Sequence, residues 1–467
     1  MKNKYLLLII LTLTVAYCIT LALNIPVFQQ LRFWFWQFGY KPVNDWWIIL
    51  IIAFVSYVSV AIVLKHHHNR KFNVLLLIVS GFFLQLGFSF LEGKGFDSLR
   101  DRLIVDGHSE FAVTATRIDD IETIACNYEE LADSNKLGQF PKSKPPGALI
   151  VYTLAGKAAG LFSESADPQE RYHSMIEFAV FFFPLLSYLV LIPLYGIGKE
   201  LLPGKYANLP GLLYIFIPAV NLVTMNLDQV LYPLLMAVCT WLALLAVKKN
   251  NCLFSLACGA MLYVSLYITF SLTFLIPFLL LMIAVFHIFL SSGRERLFSL
   301  SVHYLAFIGG FAVLALAMKL GTDYDMVLRF EKAIQFHADW KVWEPTAKWV
   351  TFYAGLNIVE ICVWSGFAFT VVFFMGLFRS SANLLRKNID LISVITVVFS
   401  AIVLLQAFLG YTKGETARLW LFLVPVACLT VANEINLRFK FRPDFSVKFI
   451  LLLELVTTFM IKVFQDF

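Results

Sequence analysis

Thirteen apolar runs, most of them about 16 to 25 residues long, follow one another along the chain. They lie near 5–24, 45–64, 72–91, 175–197, 207–222, 229–247, 252–268, 271–290, 299–319, 351–377, 389–409, 417–434 and 447–461. A run of that length is what an α-helix needs to cross the hydrocarbon layer of a bilayer. In lipid a helix is also one of only two structures that satisfy their own backbone polar groups. The expected fold class is therefore an all-α polytopic membrane protein. Composition agrees, because 60% of the 467 residues are hydrophobic and only 15% are charged, which leaves no room for a soluble domain of ordinary polarity. The 46 Phe and 10 Trp suit lipid-facing surfaces and interfacial belts.

The net charge of +6 is carried in short loops and points to no nucleic-acid partner. Lys2/Lys4, Lys65–Lys71, Lys199/Lys205, Lys248/Lys249, Arg294/Arg296, Arg379/Arg386/Lys387 and Arg438/Lys440/Arg442 fall on one side if every run crosses once. Short basic loops mark the cytoplasmic side, so the expected N-terminus is inside a cytoplasmic membrane. The first run is longer than the core of a cleaved signal peptide and reads as an uncleaved span. The seven cysteines are scattered, with only Cys126 in a long polar loop and no CxxC pair. Neither a disulfide framework nor a cysteine metal site is expected.

The opposite, outer side receives two longer polar segments, 92–174 and 320–350. The first is acidic, with Asp97, Asp101, Asp106, Glu110, Asp119, Asp120, Glu122, Glu129, Glu130 and Asp133. Within it the apolar stretch Ala148 to Phe162 is too short to span comfortably. Crossing would also invert every later basic loop, so it reads as a helix lying on the outer surface.

Two clusters in that loop carry chemistry. Asp106-Gly107-His108-Ser109-Glu110 sets two carboxylates four residues apart, on one face if helical and with His108 off that face. Such a pair can orient a hydroxyl and take its proton, or hold a divalent cation. It can equally be a solvated helix flank, as Asp97 and Asp101 share the spacing. Ser143-Lys144-Pro145-Pro146-Gly147 is a stiff turn that fixes a lysine where it can meet a phosphate. The same prolines also suit entry into the helix that follows.

Further polar residues recur at expected outer span ends. Asp228 opens one span, and Arg418 opens another after Lys413-Gly414-Glu415. Arg418 can pair with a phosphate or reach to lipid head groups. The 320–350 loop adds Glu331, His337 and Trp340, with Trp343 beyond. Glu360 lies inside its span, where an ionisable group is a functional candidate or an internal hydrogen-bonding partner. Glu454 is a weaker case of the same kind. His66-His67-His68, beside Arg70 and Lys71, reads as a basic turn rather than a metal tract.

In order and spacing, the acidic motif, the Lys144-Pro145-Pro146 turn, the surface helix and Asp228 in NLDQVLYPLL resemble the GT-C fold membrane glycosyltransferases. The likeness is to the protein O-mannosyltransferase and aminoarabinose transferase group. It covers roughly 72–300, with Arg418-Leu-Trp-Leu-Phe-Leu carrying it further. The chain differs in separating its two acids and in ending the turn with Gly147 rather than leucine. Residues 1–64 look like two helices added before a GT-C-like catalytic domain at 65–467.

The resemblance implies an inverting transferase that moves a sugar from a polyprenyl-phosphate donor to a lipid, glycan or protein acceptor outside the membrane. Either Asp106 or Glu110 would be the base. Lys144, Arg418 and Lys413 would meet the phosphate, and His108, Asp228, Glu331, His337 and Glu360 would meet the substrates. The resemblance names no definite cofactor, and a divalent cation is compatible with the acidic motif. A transporter or flippase of lipid-linked sugars, or a glycan polymerase or ligase, is the alternative reading. A transporter would place its ionisable groups at mid-membrane.

Overall fold

A computed structural model describes residues 3–27, 30–31, 34–65, 69–105, 107, 109–162, 167–290, 295–340, 346–409, 412, 414–439 and 443–465. The side chains of Asn3, Arg70, Leu227, Asp228 and Pro443 are excepted. Among the described residues ten helices are long and apolar enough to cross a membrane. They form one bundle around Leu227–Lys249, whose span is 78% buried, whereas Arg296–Thr322 at the edge is 17% buried. The difference decides which helix organises the core and which meets lipid.

Three of the thirteen apolar runs are not among those ten. The 207–222 run is two short helices, Leu209–Tyr214 and Pro218–Val223, with every residue buried. Pro218 lacks an N–H and holds Ile217 extended, so the helix cannot run through. Asn221 donates to the Ile215 carbonyl at 2.9 Å, satisfying irregular backbone that lipid would not tolerate. The 252–268 run is a 17-residue helix, Cys252–Ile268. The last run lies within the longer Pro443–Phe464, which includes Asp444, Lys448, Glu454 and Lys462.

The 351–377 run also breaks, into Ala347–Trp364 and Phe367–Leu385. Gly366 between them has φ +83°, and a Cβ there would strike the Glu454 carboxylate. Glu454 accepts the Phe369 N–H at 2.8 Å. A buried carboxylate thus satisfies one of the orphan donors at the start of the second helix.

Loop pairings sort the polar segments to two ends. At one end Lys248 meets Glu200 at 3.1 Å, Lys205 meets Asp444 at 3.7 Å, and Glu434 sits between Arg379 and Arg438. These are the basic loops. At the other end the 92–174 segment folds into Asp97–Ile104, Ser109–Ile118, Ile121–Cys126, Tyr128–Asp133, Gln139–Lys142 and Pro146–Gly160. The last covers the stretch expected to lie on the outer surface; it begins with Pro146 at its first position, and eight of its 15 residues are buried.

The amphipathic helix Met326–Trp340 docks onto this assembly. Lys332 bridges Glu129 at 3.0 Å and Asp133 at 3.1 Å, and buried Arg329 donates to the Lys142 carbonyl at 3.0 Å. The N-terminal segment is packed in as well. Helix Asn3–Ala22 lies against Pro443–Phe464 and Phe367–Leu385. The Gly39 and Lys41 N–H groups bond to the Phe464 and Val463 carbonyls at 3.1 and 2.8 Å.

Candidate functional site

The acidic motif and the proline turn are clamped to each other. Glu110 accepts the Phe140 N–H at 2.9 Å, capping the short helix Gln139–Lys142 that leads into Lys144. The Phe140 ring packs on the bare backbone of Gly107, where a Cβ would overlap it, and meets Trp340 at 4.9 Å. The Tyr128 hydroxyl, fully buried, donates to the Pro141 carbonyl at 2.7 Å and reaches that of Lys144 at 3.2 Å. Gly147 has its own reason: a Cβ there would strike the Tyr267 carbonyl. The residue that departs from the resembled motif is the one that lets helix Pro146–Gly160 approach Cys252–Ile268.

Two cavities flank this clamp. The first, of about 300 Å³, is lined by Lys41, Lys94, Arg102 and Arg418, with the carboxylates Glu92 and Asp101. Val105, next to Asp106, lines it too, as do Asn226 and Gln229. Those two residues form a capping box, with the Asn226 N–H bonded to the Gln229 side chain at 2.9 Å. The cavity therefore also faces the N-terminus of helix Leu227–Lys249, where the helix dipole is positive. The four cations outnumber the two carboxylates on the lining, although Arg418 also pairs with Glu415 and Lys94 lies 3.9 Å from Glu92. Burial alone would raise the Glu92 carboxyl, but Lys462, then Lys41 and Arg102, hold it below its ordinary range.

The second cavity, of about 340 Å³, is lined by Ser143, Lys144, His337 and Glu415 among aromatic rings including Phe270, Phe330 and Trp420. Glu415 is ion-paired with Arg418, which lines the first cavity. The turn 414–420 is thus a wall shared by both. Glu415 stands at φ +60° after Gly414 at φ +80°, a left-handed pair that turns the chain between the two spaces.

The expected site residues are distributed accordingly. Arg418 faces the first cavity, and Lys144 and His337 the second. Glu110 is the clamp between them. Glu331 is exposed and lines neither. Glu360 is buried behind the first cavity, accepting from the Trp36 indole at 2.6 Å and the Ala417 N–H at 2.9 Å. It holds the wall rather than facing the space. Asp106, His108 and Lys413 lie outside the described residues, as do His66–His68 and Trp343. For Asp228 only the backbone is described, in the first turn of its helix. Among the described residues no group of three or more His, Cys, Asp or Glu side chains is gathered as a metal ion would need.

Lys41, Lys94 and Arg102 escaped the sequence reading. Arg102 stands four residues before Asp106 in the sequence, a signal that was present. Lys41 reaches the site only through pairing with the far C-terminal end, which no local pattern announces.

No protein-family model matches the chain, and no curated protein matches it. Among solved structures it is similar to the crystal structure of the Archaeoglobus fulgidus oligosaccharyltransferase in the apo form. There the TM-score is 0.52 and the identity 12%, over 84% of this chain and 56% of that one. The same protein in complex with Zn and sulfate aligns at TM-score 0.47 and 15% identity, over 69% of this chain and 44% of that one. The chain thus spans little more than half the length of the protein it matches. The architecture is the GT-C fold.

Proposed function

We propose that the chain is a glycosyltransferase that moves a sugar from a polyprenyl-phosphate donor to a lipid, glycan or protein acceptor. The finer likeness, to the O-mannosyltransferase and aminoarabinose transferase group, belongs to this reading, as does an outward-facing site with a cytoplasmic N-terminus. The observation that carries it is the first cavity: Lys41, Lys94, Arg102 and Arg418 line it together with Val105, at the polar-loop end of a GT-C bundle.

A lipid-linked phosphate can enter such a site from the bilayer while its charge is met by Arg418 and the neighbouring cations. The acceptor hydroxyl then attacks the anomeric carbon as the carbon–oxygen bond to phosphate breaks. Asp106 takes the hydroxyl proton, and the polyprenyl phosphate leaves with the bonding pair, its negative charge stabilised by the same cations. Attack opposite the leaving group inverts the anomeric centre. Glu110 positions: bonded to Phe140, it ties its own helix to the segment that leads into Lys144. Lys144 and His337 serve the second cavity, which suits the acceptor.

The test is incubation of the purified full-length protein with a panel of polyprenyl-phosphate sugars and mixed acceptors. Transfer of sugar, with release of sugar-free lipid, is expected. Movement of intact lipid-linked sugar across the bilayer with no transfer would establish the transporter reading instead.

A further inference from the structure

One wall of the first cavity comes from residues 34–41, between the first two membrane helices. We propose that this strap is a substrate-holding element. Lys41, with Lys94 and Arg102, takes the phosphate of a lipid-anchored glycosyl phosphate, and Phe35 gives its sugar an apolar face. The assignment of the sugar rests on the glycosyltransferase reading above; the assignment of the phosphate does not.

The strap is built into the site. Trp36, 3% exposed, donates to Glu360, and the same carboxylate oxygen accepts the N–H of Ala417 beside Arg418. A single buried group therefore fixes the strap and the Arg418 turn relative to each other. Two backbone bonds to Val463 and Phe464 hold the strap on its other edge and set where Lys41 begins. A surface loop with no role in the site would not need anchors from two distant parts of the chain.

Charge argues for an anion. Lys41, Lys94, Arg102 and Arg418 line the cavity with Glu92 and Asp101. Glu92 is ion-paired with Lys462 and lies 3.9 Å from Lys94, and Arg418 is paired with Glu415, so an incoming phosphate joins an existing network of mostly cationic groups. Charge-assisted contacts from several such groups are the usual means of holding a phosphate. Ring geometry argues for an apolar neighbour. Phe35 meets Trp36 edge-on at 4.9 Å and 84°, so the buried indole braces it, yet it remains 49% exposed at the cavity. An aromatic face held open beside cations fits a molecule with an anionic part and a weakly polar C–H surface, as a glycosyl phosphate has.

The experiment uses the full-length protein in nanodiscs of neutral phosphatidylcholine. Binding is measured for sugar-free undecaprenyl phosphate, for phosphatidylglycerol, and for whichever glycosylated lipid the wild type consumes. Lys41→Met is expected to weaken undecaprenyl phosphate binding about tenfold, the scale of one lost charge-assisted contact, with Lys41→Arg restoring it. Phe35→Ala should leave that affinity unchanged while raising KM for the glycosylated lipid about fivefold, as loss of one aromatic contact would. Unaltered affinity in Lys41→Met, in a protein whose unfolding temperature matches the wild type, would overturn the phosphate assignment. So would equal, Lys41-dependent binding of phosphatidylglycerol, which would make this a membrane head-group site. A wild type that transfers no sugar but binds undecaprenyl phosphate through Lys41 would sink the transferase reading and leave the phosphate site standing. Unchanged KM in Phe35→Ala would remove the sugar-facing role.

Discussion

The two ends of this bundle handle charge in opposite ways. At the basic-loop end, Glu434 is 1% exposed and takes Arg379 at 2.8 Å and Arg438 at 2.7 Å. Lys248 and Lys205 likewise meet Glu200 and Asp444. At the polar-loop end Lys41, Lys94, Arg102 and Arg418 share the lining of the first cavity with Glu92 and Asp101, while Arg418 pairs with Glu415 and Glu92 with Lys462. Pairing within the protein is what a membrane bundle needs for stability, since an unmatched buried charge is costly. The first cavity instead sets its partnered cations around an open space that a charge arriving from outside can enter.

The sharpest way to break the comparison is at the acidic motif. Asp106→Asn keeps the shape but cannot take a proton, and should slow sugar transfer about 100- to 10,000-fold with lipid binding retained. Rates close to wild type in both Asp106→Asn and Glu110→Ala would remove the catalytic assignment from this end altogether.

At the paired end the effect should fall on stability instead. Glu434→Ala leaves two arginines facing each other and should destabilise the protein, by less than the roughly 3–5 kcal/mol of a fully buried pair because Arg379 is about one-third exposed. Thermal unfolding would show it, while the KM of surviving enzyme stays unchanged. A changed KM with no loss of stability would mean that this end, too, serves a ligand.

Gly147→Leu, which restores the resembled motif, forces a side chain against the Tyr267 carbonyl. It should cost about 1–3 kcal/mol and shift Lys144, so transfer falls along with stability. A neutral or stabilised variant would show that the helices can part without consequence.

The bundle itself was legible in the sequence because run length and loop charge are local quantities. Where the reading differed, backbone chemistry and distant partners decided. Pro218 split one run, and Gly366 with Glu454 split another. Glu360, and more weakly Glu454, read by depth as functional candidates or internal hydrogen-bonding partners, and each accepts a backbone N–H at the start of a helix. That use of a buried carboxylate has no signature at a single position. The acidic motif and the proline turn were visible as motifs. Their clamp was not, since Phe140 links them only through the folded loop.

Smaller effects refine the same contrast. Lys332→Ala removes partly exposed pairs to Glu129 and Asp133 and should change stability by no more than about 1 kcal/mol. Any larger loss of transfer would show that the Met326–Trp340 helix must stay docked for turnover. Glu92 adds a pH signature. Its carboxyl is depressed in the folded chain, so its contribution is full above the ordinary value of 4.5 and fades as pH falls through the lower folded value. Glu92→Gln should flatten the acid side of the stability profile slightly.

The central claim is that the cations lining the first cavity take a lipid-borne phosphate. An electron cryo-microscopy map of the full-length protein in nanodiscs with sugar-free undecaprenyl phosphate tests it most directly. The account predicts phosphate density in the first cavity, within contact of Arg418 and at least one of Lys41 and Arg102. Density at Arg379 and Arg438 on the opposite end, with the first cavity empty, would contradict it.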